Sequence, residues 1–242
     1  MPPFLLAFLF GCISLLYATV GQAGGTAFLA LMAFAAFPPH ELRPTALALN
    51  IVAATSSTLI FKKGHLVDWT KLSLLLSSSV PMTFVGALIV LNESIYSAIT
   101  GLVLILAAAI LIFRRPRDGI QNAQLPMWGS ITIGAAVGFV SGLTGVGGGV
   151  FLAPILITLR WASPRETSAL SAPFILANSI VGLIGALIVG QTPSVYTFSY
   201  GAAALAGAII GTAIGVRWLS QNLTRYALAT LLATAGLQLV LL

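Results

Sequence analysis

Ten apolar runs, separated by short polar stretches, cover most of the chain: roughly 4–20, 24–37, 44–61, 72–91, 95–113, 127–143, 147–159, 167–189, 197–216 and 223–242. None has the period-two alternation of a barrel strand, and runs of this length do not fit barrel strands, so the pattern predicts helices and loops only. Two runs are short. Residues 24–37 would make about 21 Å of helix against a hydrocarbon layer of about 30 Å, too little for one crossing.

The pattern also repeats. Gly24-Gly25-Thr26-Ala27-Phe28-Leu29-Ala30 reads against Gly147-Gly148-Gly149-Val150-Phe151-Leu152-Ala153, 123 positions later, with the paired glycines and the Phe-Leu-Ala in common. Both blocks interrupt apolar stretches at the same place, which is the sequence pointer to a transport site between internal repeats.

Charge decides how the interrupted stretches run. If 4–37 and 127–159 each crossed once, the eleven basic residues would divide five against six and give no orientation. If each folds back at its glycines, Lys62, Lys63, Lys71, Arg114, Arg115, Arg117, Arg160, Arg165, Arg217 and Arg225 share one face, and Arg43 stands alone on the other. Ten against one is a positive-inside signal; it puts both termini outside and the junction from Arg114 to Gln124 in the cytoplasm. Folding back also makes the crossings per half odd, so the halves must point in opposite directions. The expected fold is an all-α polytopic membrane protein of two inverted-topology repeats, each a glycine-broken helical hairpin plus three transmembrane helices. The repeats are residues 1–118 and 119–242 of a single integral membrane domain.

Composition agrees: 58% hydrophobic and 7% charged residues cannot furnish a water-soluble surface. The net charge of +6 is scattered over short loops rather than gathered in a stripe, which argues against a nucleic-acid partner. Cys12 is the sole cysteine and excludes an internal disulfide or a multi-thiolate metal site. The first twenty residues lack the basic start of a cleaved leader. Glu41, Asp68, Glu93, Asp118 and Glu166 all fall in loops or helix starts, so a proton relay through a buried carboxylate has no candidate. His40 and His65 are read as solvated loop residues. With no nucleophile, base or metal cluster in reach of one another, the chain is not expected to be an enzyme or to need a cofactor.

The glycine apices have their own chemistry. Short second arms starting at Gly24 and Gly147 would aim free N–H groups and positive dipole ends at a midplane cavity from both sides, an arrangement suited to an anion. Gly24, Gly25, Gly147, Gly148 and Gly149 would let that anion reach the main chain, with Gln22, Thr26 and Thr144 as added side-chain donors. In the following helices the offset of 123 sets Asn50 against Pro173, Thr55 against Asn178 and Ser56 against Ser179. Asn50, Thr55, Asn178 and Ser179 are therefore the further pocket candidates. Ser77, Ser78 and Ser79, and the glycines of Gly182-x-x-Gly185 and Gly207-x-x-x-Gly211-x-x-x-Gly215, read as packing. The GVGGG run lacks the Lys-Ser or Lys-Thr of a nucleotide-binding loop.

GLTGVGGGVFLAPIL at 142–156 and ETSALSAPFILANS at 166–179, with the weaker copies GQAGGTAFLAL at 21–31 and RPTALALNIVAATSS at 43–57, resemble the TauE/SafE family of membrane anion transporters, also called the sulfite exporter or TSUP family. The resemblance runs through both repeats. It implies a multi-pass protein of the prokaryotic inner membrane for export or uptake of a small sulfur-containing anion, namely sulfite, thiosulfate or an organosulfonate, with export by alternating access the expected direction. An anion channel, or an uptake permease for another small organic anion, is the alternative reading. The partners expected are that anion and the lipid bilayer, with a homo-oligomer left open. With the cell interior negative, one negative charge moving outward gains about 2.3 kcal/mol per 100 mV, so export requires no coupling ion.

Overall fold

A computed structural model describes residues 1–92 and 126–218, with scattered positions within 95–109 and 226–237. Every regular element among these residues is a helix: α1 (Pro3–Ala18), α2 (Gly25–Phe34), α3 (Pro39–Lys63), α4 (Trp69–Ala87), α5 (Met127–Thr144), α6 (Gly149–Thr158), α7 (Pro164–Ile188) and α8 (Thr197–Trp218). Four of them, in α3, α5, α7 and α8, are long and apolar enough to cross a membrane. Most of the runs at 95–113 and 223–242, and the whole junction from Arg114 to Gln124, lie outside the described residues.

Helix starts follow local capping chemistry. α3 opens with Pro39 in its first turn and α7 with Pro164 in its own, where a missing N–H costs nothing. Before α7, the Ser163 hydroxyl accepts from the Glu166 N–H while the Glu166 carboxylate accepts from the Ser163 N–H. The Asp68 carboxylate accepts from the N–H groups of Thr70 and Lys71 to start α4. α3 and α7 thus begin at Pro39 and Pro164, ahead of their apolar runs at 44 and 167. The first turn of α3 carries His40 and Glu41, and that of α7 carries Arg165 and the capping Glu166, which is why both lie outside the apolar runs.

The halves match in length: α2 and α6 each have 10 residues, α3 and α7 each have 25. The helix starts are spaced differently from the sequence offset of 123. α2 and α6 start 124 residues apart, at Gly25 and Gly149, and α3 and α7 start 125 apart, because the link before α7 is one residue longer than the link before α3. Counted from these starts, Asn50 stands against Ile175, and Asn178 and Ser179 against Ala53 and Ala54.

Helix directions can be read from the seams. Gly207, Gly211 and Gly215 of α8 lie against the backbone of Gly11, Leu15 and Thr19, and Gly134, Gly138 and Gly142 of α5 against that of Leu75, Ser79 and Thr83. A methyl at any of these six glycines would overlap a carbonyl oxygen, so both parallel seams need bare backbone. α3 runs parallel to α8: the Ser194 N–H donates to Thr45 Oγ1 at one end, and the Ser57 and Thr212 hydroxyls meet at 2.7 Å near the other. α7 runs parallel to α4, with Asn178 beside Ser79 and Thr83 and Gly185 beside Ala87. Arg43, near the start of α3, reaches the ends of α4 and α5 and Gln191 just past α7. So α1, α3 and α8 run one way, and α4, α5 and α7 run the other. Exchanging α1–α4 with α5–α8 maps the main helix pairings onto one another.

These directions define two faces. The end of α3 and the starts of α4 and α7 carry Lys62, Lys63, Lys71, Arg160 and Arg165 to one face, where Lys71 Nζ lies 3.5 Å from the Trp161 carbonyl oxygen. Arg43 marks the other. α1 leads to the basic face, where Gly21 lies against Ser168, and α2 turns back toward the start of α3. α5 leads to the Arg43 face, where Gly145 lies against the Arg43 aliphatic chain, and α6 turns back toward α7.

Candidate functional site at the hairpin tips

Each short helix starts from a glycine that no other residue replaces without strain. Gly24 and Gly148 are the N-caps of α2 and α6, with φ of 110° and 81°, and Gly147 has φ of 87°. The first helical residues are Gly25 and Gly149, one and two positions later than the sequence reading of Gly24 and Gly147. Having made their turns near opposite faces, the two tips come together. Gln22 Nε2 donates to the Gly149 carbonyl at 3.3 Å, and Asn50 Nδ2, from the middle of α3, donates to the Val146 carbonyl at 3.2 Å. The approach is close: a methyl on Gly25 would stand 2.5 Å from Asn50 Nδ2 and 2.7 Å from the Val146 oxygen, and one on Gly147 would stand 2.9 Å from Ser179 Oγ.

Four polar atoms at this junction are buried without a hydrogen-bond partner among the described residues: Gln22 Oε1, Asn50 Oδ1, Ser179 Oγ and Ser141 Oγ. Ser141 belongs here because its Oγ lies 3.2 Å from where a methyl on Gly148 would be. Each such group costs about 1–3 kcal/mol when left unmade, so four in one place point to a site that something polar fills. The first-turn N–H groups of α2 and α6 add donors that no carbonyl one turn back can satisfy, together with two positive dipole ends.

Other expected residues have different surroundings. Thr26 is buried, but its hydroxyl is 3.0 Å from that of Tyr17. Thr144 donates to the Val140 carbonyl and accepts from the Val146 N–H, which shapes the second tip from within. Thr55 is not brought to the junction; it is exposed and donates to Ile51 of its own helix. Asn178 is buried, with Oδ1 accepting from Ser79 and Thr83 and Nδ2 donating to the Phe174 carbonyl, so it ties α7 to α4. Asn178→Ala is expected to lower the thermal unfolding midpoint in detergent, at about 0.6–1.7 kcal/mol for each interhelical bond lost. An unchanged midpoint would move Asn178 back among the pocket residues.

Two residues were missed. Ser141 sits in α5 within the run Val140-Ser141-Gly142, and its only signal was a hydroxyl one turn ahead of a glycine tip. Arg43 was read as a lone loop charge; it is 4% exposed and donates to the carbonyls of Ala87 at 2.6 Å, Ile89 at 3.0 Å and Gly142 and Leu143 at 3.5 Å, and to Gln191 Oε1 at 2.9 Å.

One family's sequence model, described as sulfite exporter TauE/SafE, matches residues 4–239. The chain belongs to the TauE/SafE family. A relative from Sinorhizobium fredii, named probable membrane transporter protein y4hK, is 35% identical over 97% of this chain and 97% of its own length. The probable membrane transporter protein YunE of Bacillus subtilis is 24% identical over 84% of this chain and 81% of its own length. In Methanocaldococcus jannaschii, the probable membrane transporter protein MJ0441 is 28% identical over 63% of this chain and 59% of its own length. No solved structure matches. TauE/SafE members carry the names of membrane transporters rather than of enzymes, and the long apolar helices fit that class.

Proposed function

We propose that the protein exports a small sulfur-containing anion, namely sulfite, thiosulfate or an organosulfonate, across the prokaryotic inner membrane. The anion binds between the starts of α2 and α6, and the two halves act as inverted repeats that open this site to each side in turn. The observation that carries the reading is the meeting of two helix N-termini around Gln22, Asn50, Ser141 and Ser179, each with a buried oxygen that has no partner among the described residues. The opposed directions of α1–α4 and α5–α8 support the inverted repeat, since equivalent helices α1 and α5, or α3 and α7, point to opposite faces. Basic residues gathered on one face support a cytoplasmic assignment there and external termini. Direct contact of the tips across the middle, from Gln22 to Gly149 and Asn50 to Val146, favours a carrier over an open channel.

The test is efflux from proteoliposomes loaded with sulfite or thiosulfate. Efflux is expected to saturate, to show counterflow, and to quicken when a potassium ionophore sets the interior negative, because each exported negative charge gains about 2.3 kcal/mol per 100 mV. Flux that neither saturates nor counterflows would point to a channel. Flux indifferent to the potential would remove the electrogenic part.

A further inference from the structure

We infer that the site at the tips selects anions that bring their own hydrogen-bond donor, such as a singly protonated oxyanion or a sulfonate with a hydroxyl or ammonium group, over anions that offer only acceptors. The inference rests on the reading of the tips as the anion site and adds a substrate class to it.

An anion's oxygens need donors, and the helix starts supply them. The side chains at the same junction supply something else. Asn50 and Gln22 are 0% and 1% exposed, and the atom left over on each is the carbonyl oxygen. Their orientation follows from their neighbours. Asn50 Nδ2 lies 3.2 Å from the Val146 carbonyl oxygen and Gln22 Nε2 lies 3.3 Å from that of Gly149. Turning either amide over would set oxygen against oxygen at the same distance, so the main chain holds both nitrogens in place and leaves both oxygens as acceptors. Those oxygens lie at the glycine tips: Asn50 Oδ1 is 3.0 Å from where a methyl on Gly25 would be, and Gln22 Oε1 is 2.9 Å from one on Gly149. Ser141 and Ser179 can donate or accept by rotating, and so do not choose between ligands.

A fully deprotonated oxyanion at this junction would face two carbonyl oxygens with nothing but lone pairs. That leaves both buried oxygens unpaired and sets their partial negative charges against the anion. An anion with an O–H or N–H on the side away from its charged oxygens pairs with them, while its charged end meets the N–H groups of α2 and α6. A site built to hydrogen-bond a ligand group discriminates against the analogue without it more strongly than a merely apolar pocket does.

The test compares two sulfonates of the same charge and carbon chain, 2-hydroxyethanesulfonate and ethanesulfonate. Their binding to the purified full chain in detergent is followed by calorimetry, with sulfite and thiosulfate as references. The hydroxyl compound is expected to bind at least about tenfold more tightly, from one buried hydrogen bond made rather than missed. That ratio should fall toward one in Gln22→Leu and in Asn50→Leu, and either variant that folds makes the comparison. Equal affinities in the natural protein, or tighter binding of ethanesulfonate, would overturn the inference while leaving the anion site intact. Binding of the references with no binding of either sulfonate would overturn it too. If no anion binds at all, the site assignment falls, and the inference with it.

Discussion

Gly25→Ala is expected to cut anion binding by about 10–100-fold, from the 1–3 kcal/mol that overpacking a close contact typically costs. The residue has no unusual backbone angle, so alanine is conformationally acceptable there and even favoured in a helix. What it lacks is room. The new methyl would stand 2.5 Å from Asn50 Nδ2 and 2.7 Å from the Val146 carbonyl oxygen, and the second of these is main chain that can yield only if the tips part. Parting them breaks the bond from Asn50 to Val146 and moves the two helix starts off their common centre. Gly201→Ala is the control: its methyl meets Val52 and Leu49 at 3.7 and 4.0 Å, ordinary contact, and a helical glycine is filled. Calorimetric titration of both purified variants, with helicity checked by circular dichroism, separates the outcomes. Natural affinity in Gly25→Ala would mean that the ligand does not sit where the tips meet.

The helices were legible because lipid leaves little choice. A long apolar run must satisfy its own backbone, and the helix is the way one segment can do so. Glycine tips were legible for a related reason: Gly24, Gly147 and Gly148 all take positive φ, which restricts the residue types that fit. Register was not legible, because one residue more in the link before α7 shifts every later equivalence without altering the hydropathy pattern. Facing was not legible either. Asn50 and Thr55 are five positions apart, about 140° around a helix, so one points at the tips while the other points outward. Polar residues within a span announce that a partner is needed, and the rotation of the helix decides which partner. Ser141 shows the converse, a small hydroxyl that becomes part of the site only through the fold of the second hairpin.

Arg43→Ala is expected to lower thermal stability in detergent by about 2–5 kcal/mol, the range for removing one side of a buried, charge-assisted set of hydrogen bonds. The guanidinium donates to the main-chain carbonyls of Ala87, Ile89, Gly142 and Leu143, which lie at or just past the ends of α4 and α5, and to Gln191. Helix ends of this kind carry orphan carbonyls and a negative partial charge, so one buried cation satisfies both. Arg43→Lys should recover only part of the loss, because an ammonium has three donors on a point charge where the guanidinium spreads five over a planar fork. The burial also removes an anomaly in the charge count. Arg43 is the single exception in the ten-against-one reading of the sequence, and at 4% exposure it caps two helix ends rather than standing in a solvated loop. Accessibility labelling of loop cysteines in Arg43→Ala should therefore report the natural topology in a less stable protein. A reversed topology, or an unchanged melting midpoint, would return Arg43 to the loop role that its position in the sequence suggested.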